Sequence, residues 1–330
     1  MRALGRSHMV PQVMKQQWLA RAVDDLPDPL SGRLGMAEVA RLEATVDVFR
    51  NWEHAYGGGL VRKAVIGQLN EVADLLRDGH PRPIALRLYG VMARLAKIAA
   101  NMSWDSGMQG AAQRYYVLGL QAARPTGDKA FGAGILASMA RQLLYLGQAG
   151  DALELVRLAL DGTRATGTPR LRAMLRTREA WAYVALGRVE AFRRAIGIAE
   201  DTYAQAGSDD TSTSFDEAEL AGVTGGRYLD LARRNPRFAN DAVTYIGRAI
   251  RLRAHSAGRS LALDHAGLAH AYAIRGDLDA AAHVGMMAVE SAGRVTSDRV
   301  RAQLADLARV LAGCDAPGVV DLRARLHAAG

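Results

Sequence analysis

The stretch Gly150-Asp151-Ala152-Leu153-Glu154-Leu155-Val156-Arg157-Leu158-Ala159-Leu160 decides how the rest of the chain is read. Its apolar residues recur at intervals of three and four and cover one broad face, the pattern of a half-buried helix rather than a strand. Four other segments can be laid over it: 110–120, 189–199, 240–250 and 279–289. Each has an alanine at its third position, namely Ala112, Ala152, Ala191, Ala242 and Ala281, spaced 40, 39, 51 and 39 residues apart. Four residues after each alanine stands Tyr116, Val156, Ala195, Ile246 or Gly285, always small or apolar. A Leu-Gly or Gly-Asp turn comes before several of them, as at Leu146-Gly147, Leu186-Gly187 and Gly276-Asp277.

This recurrence has a physical reason. Two antiparallel helices approach closely where a small residue faces the partner, and a bulkier one a turn later fills the neighbouring groove. A single helix pair buries only one face, so pairs stack and the array grows in one direction. Period-two alternation is not sustained anywhere, so the expected class is all-α, with about fourteen helices of ordinary length. Breaks are expected at 57–59, 81–83, 125–127, 167–169, 207–214, 236 and 313–318, where Gly and Pro concentrate.

The totals agree. The chain has 330 residues, 49% hydrophobic and 6% aromatic, a composition that folds but holds few rings for stacking. Lys plus Arg is 42 against 34 Asp plus Glu, a net charge of +8; the lysines are Lys15, Lys63, Lys97 and Lys129 only. The excess is spread along the sequence rather than blocked, so charge alone does not make a nucleic-acid binder. A single cysteine, Cys314, rules out an internal disulfide framework and suits a reducing cytoplasm. No stretch approaches the roughly 20 apolar residues of a membrane span, and no signal peptide opens the chain.

The helix pairs resemble tetratricopeptide repeats over roughly residues 85–295, with a period nearer 40 than the usual 34. The resemblance implies a right-handed superhelix of antiparallel pairs over 34–330, preceded by a linker or arm over 1–33. Three stretches carry a narrower likeness: 56–65, 104–116 and 215–222, beginning Tyr56-Gly57-Gly58-Gly59, Trp104-Asp105-Ser106-Gly107 and Phe215-Asp216-Glu217-Ala218. Together they resemble the tetratricopeptide-like C-terminal region of actinobacterial Xre-type helix-turn-helix transcriptional regulators. That resemblance implies a regulatory role in transcription or secondary metabolism. Residues 1–33 carry no helix-turn-helix pattern, so direct DNA binding is not implied for this chain.

Candidate site residues follow from position. Trp104, Asp105, Arg141, Trp181, Tyr183 and Glu217 lie on successive first helices or at the 207–214 loop, where a superhelix's inner wall is lined. Arg114 and Tyr115 adjoin the knob Tyr116. Asp216, Glu217 and Glu219 open a helix; Ser214 and Glu217 fit an S-x-x-E capping box, and the same carboxylates would hold a cationic partner in a groove. Gly57-Gly58-Gly59 reads as a helix-to-helix turn. Gly132-Ala133-Gly134-Ile135-Leu136-Ala137 matches a dinucleotide fingerprint only in letters, since no strand precedes it. His265 and His270 are five apart and diverge around a helix, so no metal site is expected, and no catalytic set or cofactor motif is present.

The expected function is a regulatory binding module, with a peptide, protein or small molecule in the concave groove and a homodimer open as a further contact. A scaffold that senses nothing is the first alternative. An enzyme built on a recruited solenoid is the second.

Overall fold

A computed structural model describes residues 34–56, 61–208, 210, 215–253 and 257–328. The described residues are all-helical, 81% helix without a strand. They form fourteen α-helices: α1 Met36–Tyr56, α2 Arg62–Arg77, α3 Arg82–Asp105, α4 Gln109–Ala123, α5 Lys129–Tyr145, α6 Ala149–Gly162, α7 Pro169–Ala185, α8 Val189–Tyr203, α9 Glu217–Ala232, α10 Ala239–Leu252, α11 Gly258–Arg275, α12 Leu278–Ala292, α13 Asp298–Val310 and α14 Pro317–Ala328. A 3₁₀ turn, Pro236–Phe238, leads into α10. No described helix is long and apolar enough to cross a membrane. The expected turn at 57–59 lies outside the described residues.

The helices pack in adjacent pairs, α5 with α6, α7 with α8, α9 with α10 and α11 with α12. Four joints within pairs share one geometry. Gly107, Gly147, Gly187 and Gly276 have φ of 75°, 77°, 73° and 82°, the left-handed conformation that costs glycine nothing. The residue after each glycine donates its N–H to a carbonyl five residues back: Met108 to Ser103 (2.8 Å), Gln148 to Leu143 (2.8 Å), Arg188 to Tyr183 (2.8 Å) and Asp277 to Tyr272 (3.0 Å). Each is a Schellman motif, which satisfies carbonyls that the helix end would otherwise leave open.

The turn also sets the register of the next helix. It begins two residues after the glycine, at Gln109, Ala149, Val189 and Leu278. Three residues further on, Ala112, Ala152, Phe192 and Ala281 are each 0% exposed. The third anchor is therefore Phe192; Ala191, expected from residue identity, is only half-buried. Ala242 holds the same place in α10. One turn later Tyr116, Val156, Ile196, Ile246 and Gly285 are buried. Gly285 inverts the expected knob, because Leu322 of α14 fills the space where its side chain would be. In α9, a Cβ on Gly225 would lie 2.6 Å from Ile246 Cγ1 and 2.7 Å from Ile246 N, so this contact admits only glycine.

The chain divides into two compact units. Unit 1 comprises Met1–Val46, Ile66–Lys97 and Gln113–Thr213; unit 2 comprises Asp47–Val65, Ile98–Ala112 and Ser214–Gly330. In unit 1 the first helix of one pair also packs on the first helix of the next, α5 on α7. In unit 2 α9 packs on α11, α11 on α13, and α12 on α14.

Candidate functional site

Helix α5 shows which surface of unit 1 remains open. Between Gly132 and Leu144 every residue is buried except Ser138 and Arg141. Extended to the exposed Tyr145, these residues lie at helical spacing on one line, with Gly134 a turn before them. On α3 the matching line is Gly90, Arg94 and Lys97, all half-buried. Lys97 joins the two lines. Its Nζ sits 5.3 Å from the Phe131 ring centroid, and it passes so near Gly134 that an added Cβ would be 3.4 Å away. Gly119 of α4 lets α3 and α5 approach, since a Cβ there would meet Ile135 Cδ1 at 3.2 Å and the Ala93 carbonyl at 3.4 Å.

On α7 the half-buried Trp181 continues the line. Trp181 packs edge-on against Tyr145, with ring centroids 6.3 Å apart and an interplanar angle of 76°. The result is a strip across three first helices. Its floor is small (Gly90, Gly134, Ser138), its walls are cationic (Arg94, Lys97, Arg141), and one end is aromatic (Tyr145, Trp181). At the other end Glu43 of α1 accepts from Arg87 at 2.5 Å and lies 3.7 Å from Arg94. The Arg87 hydrogen bond is the largest influence on the Glu43 carboxyl and, with both guanidiniums near, holds it below its ordinary pKa.

Of the residues expected at a binding wall, Arg141 and Trp181 belong to this strip. Tyr183 does not, because it lies about 200° around α7 from Trp181. Its hydroxyl donates to Glu179 Oε1 (3.1 Å), whose other oxygen accepts from Arg176 (2.7 Å). Arg114 is exposed and Tyr115 half-buried on α4, in unit 1 but not on these lines. Arg94, Lys97, Phe131 and Tyr145 were not singled out from the sequence.

Trp104 and Asp105 are in unit 2 and closed to solvent, 2% and 1% exposed. Asp105 occupies the last turn of α3, where a carboxylate faces the negative end of the helix dipole. It is held there by Arg299 Nε (2.9 Å) and Ser297 Oγ (2.8 Å), with Arg259 Nη1 3.9 Å away. Ser297 serves twice, since its oxygen also caps α13 by accepting from the Val300 N–H at 3.4 Å. The Arg299 guanidinium stacks 4.2 Å above the Trp104 ring, and Arg259 pairs with Glu53 at 3.2 Å. Burial alone would push the Asp105 carboxyl up; Arg299 and Arg259 outweigh it and hold the pKa below the ordinary value.

The acidic helix start is arranged differently from the expected capping box. Helix α9 begins at Glu217, and its cap is Asp216, whose carboxylate accepts from the Glu219 N–H at 2.7 Å. Ser214 lies outside the described residues. Glu217 is the first helical residue and accepts from Arg248 at 2.5 Å. Glu219 and Asp264 both contact Arg253, at 3.1 and 2.5 Å. Two carboxylates thus share one guanidinium. Burial, with Glu219 and Asp216 nearby, raises the Asp264 pKa to about 6 despite Arg253.

No protein family matches the chain, and no curated protein matches it.

Proposed function

We propose that the chain is a binding and regulatory module built as a tetratricopeptide-like superhelix, and that the first-helix strip of unit 1 is its recognition face. The observation that carries this reading is α5, buried along its middle except for Ser138 and Arg141. A helix enclosed on its other sides, with one polar line left open and flanked by an aromatic pair, is a surface that a partner can cover.

Two features support the superhelix. The within-pair joints repeat one hydrogen-bonded turn, and first helices pack on first helices, α5 on α7 and α9 on α11, without comparable packing of α6 on α8 or α10 on α12. Stacks that are tighter on one side curve toward it. In unit 1 that side is the strip. Regulation of transcription is the role implied by the likeness of 104–116 and 215–222 to Xre-type regulators. The strip's polar side chains are mostly cations, with Ser138 among them and Glu43 at one end, a set that suits recognition of a partner.

The test is native mass spectrometry after incubation with a cell extract and repurification. Wild-type chain is expected to retain a mass or partner that Trp181→Ala fails to retain, with unchanged circular dichroism. Retention that is indifferent to both Trp181→Ala and Arg141→Ala would reject this face.

A further inference from the structure

Helix α1 has apolar residues on two sides, and the described fold covers one of them. Val39, Val46, Phe49 and Glu53 lie along the covered side and are buried. Met36, Ala40, Ala44, Val48 and Trp52 recur at intervals of four, centred about 180° around the helix, and all five are exposed. Met36, Val48 and Trp52 keep 48%, 44% and 42% of their surface in solvent, so the ridge is more than a row of alanines. Trp52 leans edge-on against Phe49, with ring centroids 6.1 Å apart, and Met36 Sδ accepts from Arg87 at 3.6 Å. Apolar side chains scattered singly in water are ordinary; five aligned as one ridge mark a surface that another element covers. The ridge lies on one continuous helix, and its shape depends on α1 alone.

The sequence just before α1 has a matching ridge. In residues 1–33, Val10, Met14, Trp18, Ala22 and Leu26 are apolar at the same interval of four, and Pro11 suits the first turn of a helix. Val10 to Leu26 and Met36 to Trp52 each advance 16 residues, about 24 Å of helix. The nine residues between Leu26 and Met36 include Pro27, Pro29, Gly32 and Gly35, which end a helix and let the chain turn back. Laid antiparallel, the two ridges have Trp18 and Ala44 at their centres, so the largest side chain of one meets one of the smallest of the other. Ridges of four-residue spacing interdigitate in the commonest class of helix packing. Unit 2 already uses a single helix in this way. Val319, Leu322 and Leu326 of α14 are buried, and α14 covers α12, where Leu322 fills the space at Gly285.

We propose that residues 10–26 of the same chain lie antiparallel on the exposed ridge of α1 and close that face, with Trp18 on Ala44. The short connection to α1 keeps the entropic cost of this contact low and holds the segment near the ridge at high effective concentration. No residue of the ridge belongs to the strip on α3, α5 and α7, so the two surfaces stand or fall separately.

The test is chemical cross-linking of the full chain carrying Cys314→Ser, which leaves no native thiol. Ala22→Cys and Ala40→Cys place one thiol on each ridge, and a bismaleimide spanning about 10 Å bridges them when the two helices touch. The expected product is a bridge within one monomer, identified by mass after proteolysis. Trp18→Asp, which alters no residue of the described fold, is expected to lower its yield at least about tenfold, because the apolar contact is lost. Moving the first thiol to Ala20→Cys, about 200° around a helix from Ala22, is expected to lower the yield as well. A bridge formed chiefly between two chains would overturn the proposal in favour of a second copy on the same ridge. No bridge, or a yield indifferent to Trp18→Asp and to the move to Ala20→Cys, would overturn it outright.

Discussion

The two units use the same residue types to opposite ends. In unit 2, Trp104, Arg259, Arg299 and Asp105 form a closed set, in which an Arg stacks on the Trp and each charge meets an opposite one out of solvent. In unit 1, Arg94, Lys97, Arg141, Tyr145 and Trp181 lie along an open line with far more cations than carboxylates. An aromatic ring beside an Arg near a helix end is therefore no mark of a binding site. What separates the cases is exposure: in unit 2 the ring and its charges are closed to solvent and staple helices together, whereas Arg94, Lys97 and Arg141 are only half-buried and Tyr145 is exposed.

Breaking the closed set should have the largest effect. Asp105→Ala leaves Arg299 and Arg259 facing each other without their shared carboxylate, and a loss of about 3–5 kcal/mol is expected in urea unfolding. Asp105→Asn, which keeps an acceptor for Ser297, should lose less. A next effect of order 1–3 kcal/mol is expected at Gly225→Ala, whose Cβ would collide with the Ile246 backbone; thermal unfolding would measure it.

The pH dependence sharpens the comparison within unit 2. Burial raises the Asp264 pKa to about 6, so its protonated form favours folding and its contribution is lost as pH rises from about 4 through 6. His270 has the opposite sign. Burial first, then Arg233, lowers its pKa to about 4, so its contribution is present above pH 6.5 and is lost as pH falls toward 4. Between pH 7.5 and 5 the two partly cancel in the wild type. Asp264→Asn should unmask acid destabilisation, and His270→Gln acid stabilisation, in midpoints measured across that range. The smallest stability effect belongs to the open strip. Arg141→Ala should change unfolding by about 0.5–1 kcal/mol while reducing retention of a partner in the extract experiment.

Much of the fold is written locally. Gly147, Gly187 and Gly276 mark joints because only glycine takes their φ without strain, and the alanines after them mark the close contacts. Where residue identity misled, as at Ala191, the distance from the preceding glycine would have pointed to Phe192. The site was less legible. Arg141 and Trp181 could be picked out as polar or aromatic residues on first helices, and Ser138 with Arg141 interrupts an otherwise apolar run. Lys97 and Tyr145 join them only because α3 and α7 flank α5. Asp105 could not be placed from sequence at all, since its partners Ser297 and Arg299 are 192 and 194 residues away along the chain.

Gly107, Gly147 and Gly187 stand 40 residues apart with interchangeable hydrogen bonding, and each resets the helix that follows to the same phase. A duplication or deletion spanning one such interval would rejoin the chain at an equivalent hinge and leave downstream helices in phase. Length in this part of the molecule is thus free to change in whole steps. A family of descendants could differ in the number of pairs, and so in the reach of the recognition strip, without relearning how to fold.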